Sequence, residues 1–305
     1  LKFAEFEPAS RLKWAFFTNT SQTPVPPIPE IKPEQSIELL KELHILTRDG
    51  KLNQDSRRKL KQVYHLFHFI EPLLAELLAE NGQSAGITLA DHGAGKSYLG
   101  FILYDLFFKA LPTGHIYGVE TRAELVDKSR ALAQRLQFER MSFLKLSVED
   151  AIAAPQLPAH IDIVTALHAC DTATDDAIRF ALHKQARFIA LVPCCQAEVA
   201  ALLRRNKNAS FARTPLSEIW RHPVHTREFG SQLTNALRCL QLEAHGYQIT
   251  VTELVGWEHT MKNELIIARY TGQVRSNAEA RLQAILHELN LDELRDRFIV
   301  PAAPR

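Results

Sequence analysis

The stretch Leu89-Ala90-Asp91-His92-Gly93-Ala94-Gly95-Lys96-Ser97-Tyr98-Leu99 decides how this chain is read. It starts apolar, turns on two glycines and opens into a run with helical spacing. A strand end, a tight turn and a helix start therefore follow one another. Glycines at such a turn let the backbone approach a ligand, and the first N–H groups of the helix favour negative charge. Three ligand classes use a turn of this kind, and a turn with no ligand is the plain alternative. A phosphate loop needs G-x-x-x-x-G-K-[ST]. Gly95, Lys96 and Ser97 fit it, but Ala90 holds the first glycine place and Asp91 sets a carboxylate beside the phosphates. A dinucleotide loop needs G-x-G-x-x-G/A. Gly93 and Gly95 fit that, but Tyr98 is too large for close helix–strand packing. The third class wants a carboxylate two residues before the first glycine, and Asp91 supplies it.

Outward from the loop, short apolar runs alternate with helical ones. Strands are expected at 87–90, 115–119, 142–147, 161–167 and 187–192, with helices at 96–110, 122–138, 173–185 and 196–206. Alternation of this kind implies a parallel sheet with helices on both faces, an α/β doubly wound, Rossmann-like architecture. The runs 247–255 and 264–270, joined by a short turn, read as a terminal antiparallel strand pair. A final amphipathic helical segment spans 276–298. Upstream, 11–17 reads as an amphipathic strand and 24–33 as a proline-rich strap, which excludes helix and central strand. Helices follow at 34–48 and from a cap at Asp55 or Ser56 to about 80, with Pro72 kinking or restarting the second. The expected division is a mainly helical N-terminal extension at 1–80, a catalytic domain at 81–271 and a helical extension at 272–305.

A second feature supports the third reading of the loop. The run His115-Ile116-Tyr117-Gly118-Val119-Glu120 ends a strand on an acid, the place from which a carboxylate accepts hydrogen bonds from both ribose hydroxyls. The motifs at 91–99, 167–175 and 193–195 together resemble a broad methyltransferase-domain family. That family includes the methyltransferase-like domain of a glutathione-S-transferase-C-terminal-domain-containing protein. More distantly, the motifs are similar to a class of tRNA ribose methyltransferases. The resemblance covers about 87–270. It implies a class I fold and S-adenosylmethionine as cofactor, held by Asp91, Gly93, Gly95, Lys96, Ser97 and Glu120, with His168 close by. Family members often carry an acid where Ser147 stands, so Ser147 or Glu149 is expected to meet the adenine. A helix bearing Lys61, Gln62 and His65 is a further match upstream. The zinc modules of the tRNA enzymes are absent from the sequence, so their substrate is not carried over.

In a doubly wound sheet ligands bind at the carboxyl ends of the strands. The segments Ala166-Leu167-His168-Ala169-Cys170-Asp171 and Leu191-Val192-Pro193-Cys194-Cys195-Gln196 should therefore line the same crevice. His168 is the candidate base, because an unperturbed pKa of about 6.5 permits proton acceptance near neutrality. A fixed core histidine is the alternative. Asp171 is expected to orient it or to accept from an acceptor amine, and Cys194 is the candidate thiol. Adjacent Cys194 and Cys195 lack the spacing of zinc ligands, so no metal is expected. Cys239 reads as a helix core residue. Substrate contacts are expected from Lys61, Gln62, His65, Arg227, Lys262 and Asn263.

The chain has 305 residues, with 36 Lys and Arg against 35 Asp and Glu. Such a balance excludes a highly basic nucleic-acid coat and an acidic solvating tail. Four cysteines in this length suggest no disulfide framework, and no segment reads as a signal or membrane span, so a reduced cytoplasmic setting is expected. Charge is uneven along the chain: 201–262 holds eight basic and five acidic residues, net +3. That excess points to RNA as the acceptor. A protein or small-molecule acceptor, or a non-catalytic module of the same fold, are the alternatives. No membrane and no stable protein partner are expected.

Overall fold

Seven strands lie in one sheet in the order β3-β2-β1-β4-β5-β7-β6. The computed structural model describes residues 30–82, 86–167, 169, 171–193, 196–206, 215–253 and 264–301. The strands are β1 (Thr88–His92), β2 (His115–Glu120), β3 (Met141–Lys145), β4 (Ile163–Ala166), β5 (Phe188–Leu191), β6 (Tyr247–Glu253) and β7 (Glu264–Tyr270). The first five are mutually parallel, and β7 runs antiparallel to both β5 and β6. The expected α/β doubly wound sheet with its terminal antiparallel pair is thus the observed one. The order reverses between β1 and β4, and a crevice for a ligand opens at such a switch point.

Helices connect the strands: α3 (Tyr98–Leu106), α4 (Ala123–Arg135), α5 (Val148–Ala153), α6 (Thr172–His183), α7 (Glu198–Arg205) and α8 (Pro223–Ala244). Burial explains the strand sequences. β4 and β5 are covered on both faces and read as unbroken buried runs. Gly118 is required on β2, because a Cβ there would stand 2.5 Å from the Phe143 ring. A second apolar cluster joins α7, α8, α9 (Ala278–Glu288) and α10 (Arg295–Phe298), centred on Leu203, Leu237, Leu282 and Phe298.

Glu34–Arg305 forms one compact unit that includes the helices before β1. α1 (Ile37–Glu42) is shorter than expected. Ser36 caps it, but His44 takes a left-handed φ of 54° and the chain turns away. α2 (Gln54–Asn81) starts one residue before the expected caps. Asn53 is the cap, accepting the Ser56 N–H at 2.8 Å, and the helix continues through Pro72 to Asn81. Near its end Glu80 accepts from Arg187 at 2.6 Å, and Glu76 is paired with Arg269, which ties α2 to β7. Among the described residues no helix is long and apolar enough to cross a membrane. The expected strand at 11–17, most of the strap at 24–33, and the link 254–263 lie outside the described residues.

Candidate functional site

The glycine loop is braced from below by Asp91. Strand register sets Asp91 opposite Thr165 on β4, and the Thr165 hydroxyl donates to the carboxylate at 3.1 Å. The Ser97 hydroxyl donates at 3.0 Å and the Gly100 N–H also donates. Asp91 is 2% exposed. Burial pushes its pKa up to about 7 against the pull of these three donors, with the Glu120 charge adding to the rise. The carboxylate therefore faces the loop's own groups. Gly93 (φ 65°) and Gly95 (φ 59°) occupy the left-handed region that favours glycine. A Cβ on Gly93 would come within 3.2 Å of the Ala169 Cβ, so the loop touches the turn after β4. Ser97 is also left-handed at φ 51°, and its buried hydroxyl on Asp91 is what holds it there. Lys96 is exposed on the loop.

Glu120 closes β2 beside this loop and is 6% exposed. One oxygen accepts from the Gly95 N–H at 2.8 Å and from Arg122 Nη2 at 3.2 Å. The other accepts from the Thr121 and Arg122 N–H groups, the Thr121 hydroxyl and Arg122 Nε. Burial works to raise its pKa, but the Arg122 guanidinium and the Arg122 and Gly95 N–H groups hold it down at about 2. Glu120 is thus fully ionised at neutral pH.

Two carboxylates sharing one loop disfavour a phosphate. Ser97, which a phosphate loop would turn to a bound cation, is committed to Asp91. What suits the place is a nucleoside with a ribose diol for Glu120 and no phosphate. S-adenosylmethionine fits that description.

Comparison with known proteins agrees. Residues 58–202 match the family described as "Methyltransferase domain". The chain is also similar to the glutathione S-transferase C-terminal domain-containing protein of Bos taurus, 22% identical over 245 residues, 72% of this chain and 34% of that one. A homologue from Drosophila pseudoobscura pseudoobscura is 24% identical over 222 residues, 64% of this chain and 36% of that one. The chain spans about a third of the length of these relatives. Among solved structures, magnesium protoporphyrin IX methyltransferase from Synechocystis PCC 6803 with bound SAH aligns at 15% identity and a TM-score of 0.42, covering 77% of this chain and 93% of that one.

The remaining residues expected in the methyltransferase site are placed as follows. Ser147 caps α5, accepting the Asp150 N–H at 3.1 Å and donating to the Asp150 carboxylate at 2.8 Å. Glu149 is exposed and paired with Arg179. On α2, Lys61 is exposed and His65 half-buried against Phe69. Arg227 lies exposed on α8 and pairs with Glu228 at 3.0 Å. His168, Cys194, Lys262, Asn263 and the side chain of Gln62 lie outside the described residues.

Asp171 opens α6 with φ 51° and ψ −119°, a strained conformation for a residue with a side chain. Its carboxylate accepts the Ala197 N–H at 3.3 Å, which joins the turn after β4 to the turn after β5. Its carbonyl accepts from Arg238 Nη2 at 2.9 Å. Arg238, on α8, is completely buried and also donates to Asp175 at 2.6 Å and to Asn235 at 3.2 Å. Asn235 in turn donates to Glu264 at 2.8 Å. Beside this network lies a cavity of about 570 Å³ whose walls include Pro193, Ser231, Glu228, Glu253 and Glu264. Cys239 also lines it, and burial pushes that thiol's pKa up to about 12. Sequence patterns do not single out Thr165, Arg122 or Arg238. Thr165 shows no signal beyond a hydroxyl in a buried strand. Arg122 follows the strand-two acid by two residues, and Arg238 is a lone cation on a helix face that mixes leucines with small polar residues.

Proposed function

We propose that this chain transfers the methyl group of S-adenosylmethionine to RNA. The methyl-transfer part rests on one observation above all. Glu120 at the end of β2 is ionised, faces the glycine loop through the Gly95 N–H, and shares that loop with a second buried carboxylate. When bound, S-adenosylmethionine supplies an electrophilic methyl on a positively charged sulfur. Gly93 and Gly95 give it room against the backbone, Glu120 accepts from its ribose, and the turns after β4 and β5 shape the acceptor side. Transfer asks the protein to align the nucleophile and exclude water. His168 is the proposed base for an acceptor that arrives protonated.

The RNA part is supported by the net +3 of 201–262 and by exposed Lys61 and Lys96. A second reading, an acceptor on protein or a small molecule, is favoured by how the arginines are engaged. Arg205 pairs with Glu293, Arg221 with Glu218 and Arg227 with Glu228, while Arg238 is buried. The cavity between α8 and the ends of β6 and β7 is walled by three glutamates, which suit a basic group better than a phosphate. Calorimetric titration with S-adenosylmethionine is expected to show binding that Glu120→Ala abolishes. Absence of binding by the wild type would overturn the cofactor assignment. Labelling a knockout lysate with tritiated cofactor and sorting it into RNA, protein and small-molecule fractions then identifies the acceptor. Label resistant to ribonuclease would sink the RNA proposal.

A further inference from the structure

Arg122 occupies the group that a cofactor ribose needs. Its Nε and Nη2 atoms reach the two Glu120 oxygens at 3.0 and 3.2 Å. Four other donors converge on the same carboxylate: the N–H groups of Gly95, Thr121 and Arg122, and the Thr121 hydroxyl. An ionised carboxylate offers about four lone-pair sites. Six donors therefore saturate it, and two ribose hydroxyls find no place until something leaves. The three N–H groups are fixed by the backbone of the glycine loop and of the start of α4. The Thr121 hydroxyl can rotate off one oxygen, but the guanidinium is the donor that spans both, and it can swing away because the Arg122 side chain is 61% exposed while Glu120 is buried. It lies over the loop itself, 3.9 Å from where a Gly95 Cβ would stand.

We propose that Arg122 is an internal competitor of the cofactor at Glu120. This rests on the cofactor reading above. Arg122 neutralises an acid that would otherwise sit buried and unpaired, which is costly. Binding requires the guanidinium to release both oxygens and swing to the rim of the crevice. Part of the ribose interaction is therefore offset by the lost ion pair. The protein gains an ordered, neutral cofactor site at the expense of affinity. Arg122 is a positioning residue in this account, since it acts on the cofactor through Glu120.

The test is calorimetric titration of the intact chain with S-adenosylhomocysteine, which has no sulfonium charge and so limits long-range attraction as an explanation. Arg122→Ala removes the competitor; Arg122→Gln keeps much of its reach without the charge. Both variants are expected to bind roughly two- to five-fold more tightly than the wild type, the range of an exposed ion pair. Raising the salt concentration should close the gap, because screening weakens the pair only in the wild type. Unchanged or weaker binding in both variants would overturn the proposal, and so would a gap that salt leaves untouched. A wild type that does not bind at all would overturn the cofactor reading, and this inference with it.

Discussion

Asp91 and Glu120 are two carboxylates on neighbouring strands whose surroundings drive them in opposite directions. Asp91 is sealed off, and burial lifts its pKa from 3.8 to about 7. Glu120 has a guanidinium and several N–H donors, and stays near 2. The sign of the stability effect follows for Asp91. Between about pH 4 and pH 7 the folded protein keeps a proton that the unfolded chain has released, so stability falls as pH rises through this window. Every tenfold difference in proton affinity between the two states is worth about 1.4 kcal/mol. Asp91→Asn has no such dependence. The difference in melting temperature between wild type and Asp91→Asn should move in favour of the variant as pH rises from about 4 to 7, then level off. A difference that is flat with pH would show that Asp91 ionises without penalty. At this scale the sequence is readable where local chemistry is restrictive. Gly93 and Gly95 stand out because few other residues accept their backbone angles. Ser147 is less readable, since a serine before two acids serves equally as a helix cap or as a ligand contact, and in the structure it caps α5.

At the scale of elements, α8 matters more than its sequence suggests. It carries the buried Arg238 that holds the Asp171 carbonyl and the Asp175 carboxylate, and so fixes how α6 begins. Removing one partner of a buried pair leaves an uncompensated charge, at about 3–5 kcal/mol. Arg238→Met is expected to lose stability in that range by urea denaturation. A loss under about 1 kcal/mol would show that the pair contributes little. A second constraint is steric. A Cβ on Gly230 would stand 2.8 Å from the Ala200 backbone nitrogen, so α7 and α8 touch there. Gly230→Ala must separate the helices, with an expected cost of about 1–3 kcal/mol, read by the same method. Neither contact is legible in sequence. Arg238 and Asp175 are 63 positions apart, and no local pattern pairs them. Helix starts are readable only approximately, as at α2. Asn53, Asp55 and Ser56 are all good caps, and the choice among them depends on packing that sequence does not display.

At the scale of the whole molecule, the alternation of strand and helix makes the sheet legible, including the two strands at its far edge. Their pairing follows from apolar runs too close together for a crossover helix. The acceptor is less legible, because net charge by region counts residues without knowing their partners. Several arginines behind the +3 of 201–262 are already engaged with acids in the fold. If RNA is bound through phosphates, affinity for total RNA should fall linearly with salt on logarithmic axes, with a slope that counts the contacts. Filter binding across a salt series measures it, and binding indifferent to salt would remove the phosphate contribution.

The outer edge of β5 has a consequence for where the folding body ends. β5 is completed by β7, which places Leu265, Ile266 and Ala268 in the core, and β7 is anchored in turn to Glu76 on α2. The segment recognisable by family stops at residue 202, before either α8 or β7. Cut there, the sheet would present a bare, apolar edge strand, the kind of surface that recruits other chains. The family match and the folding body thus have different borders in this protein. The matched part carries the glycine loop, while the later part supplies the strand and helix that close its open side.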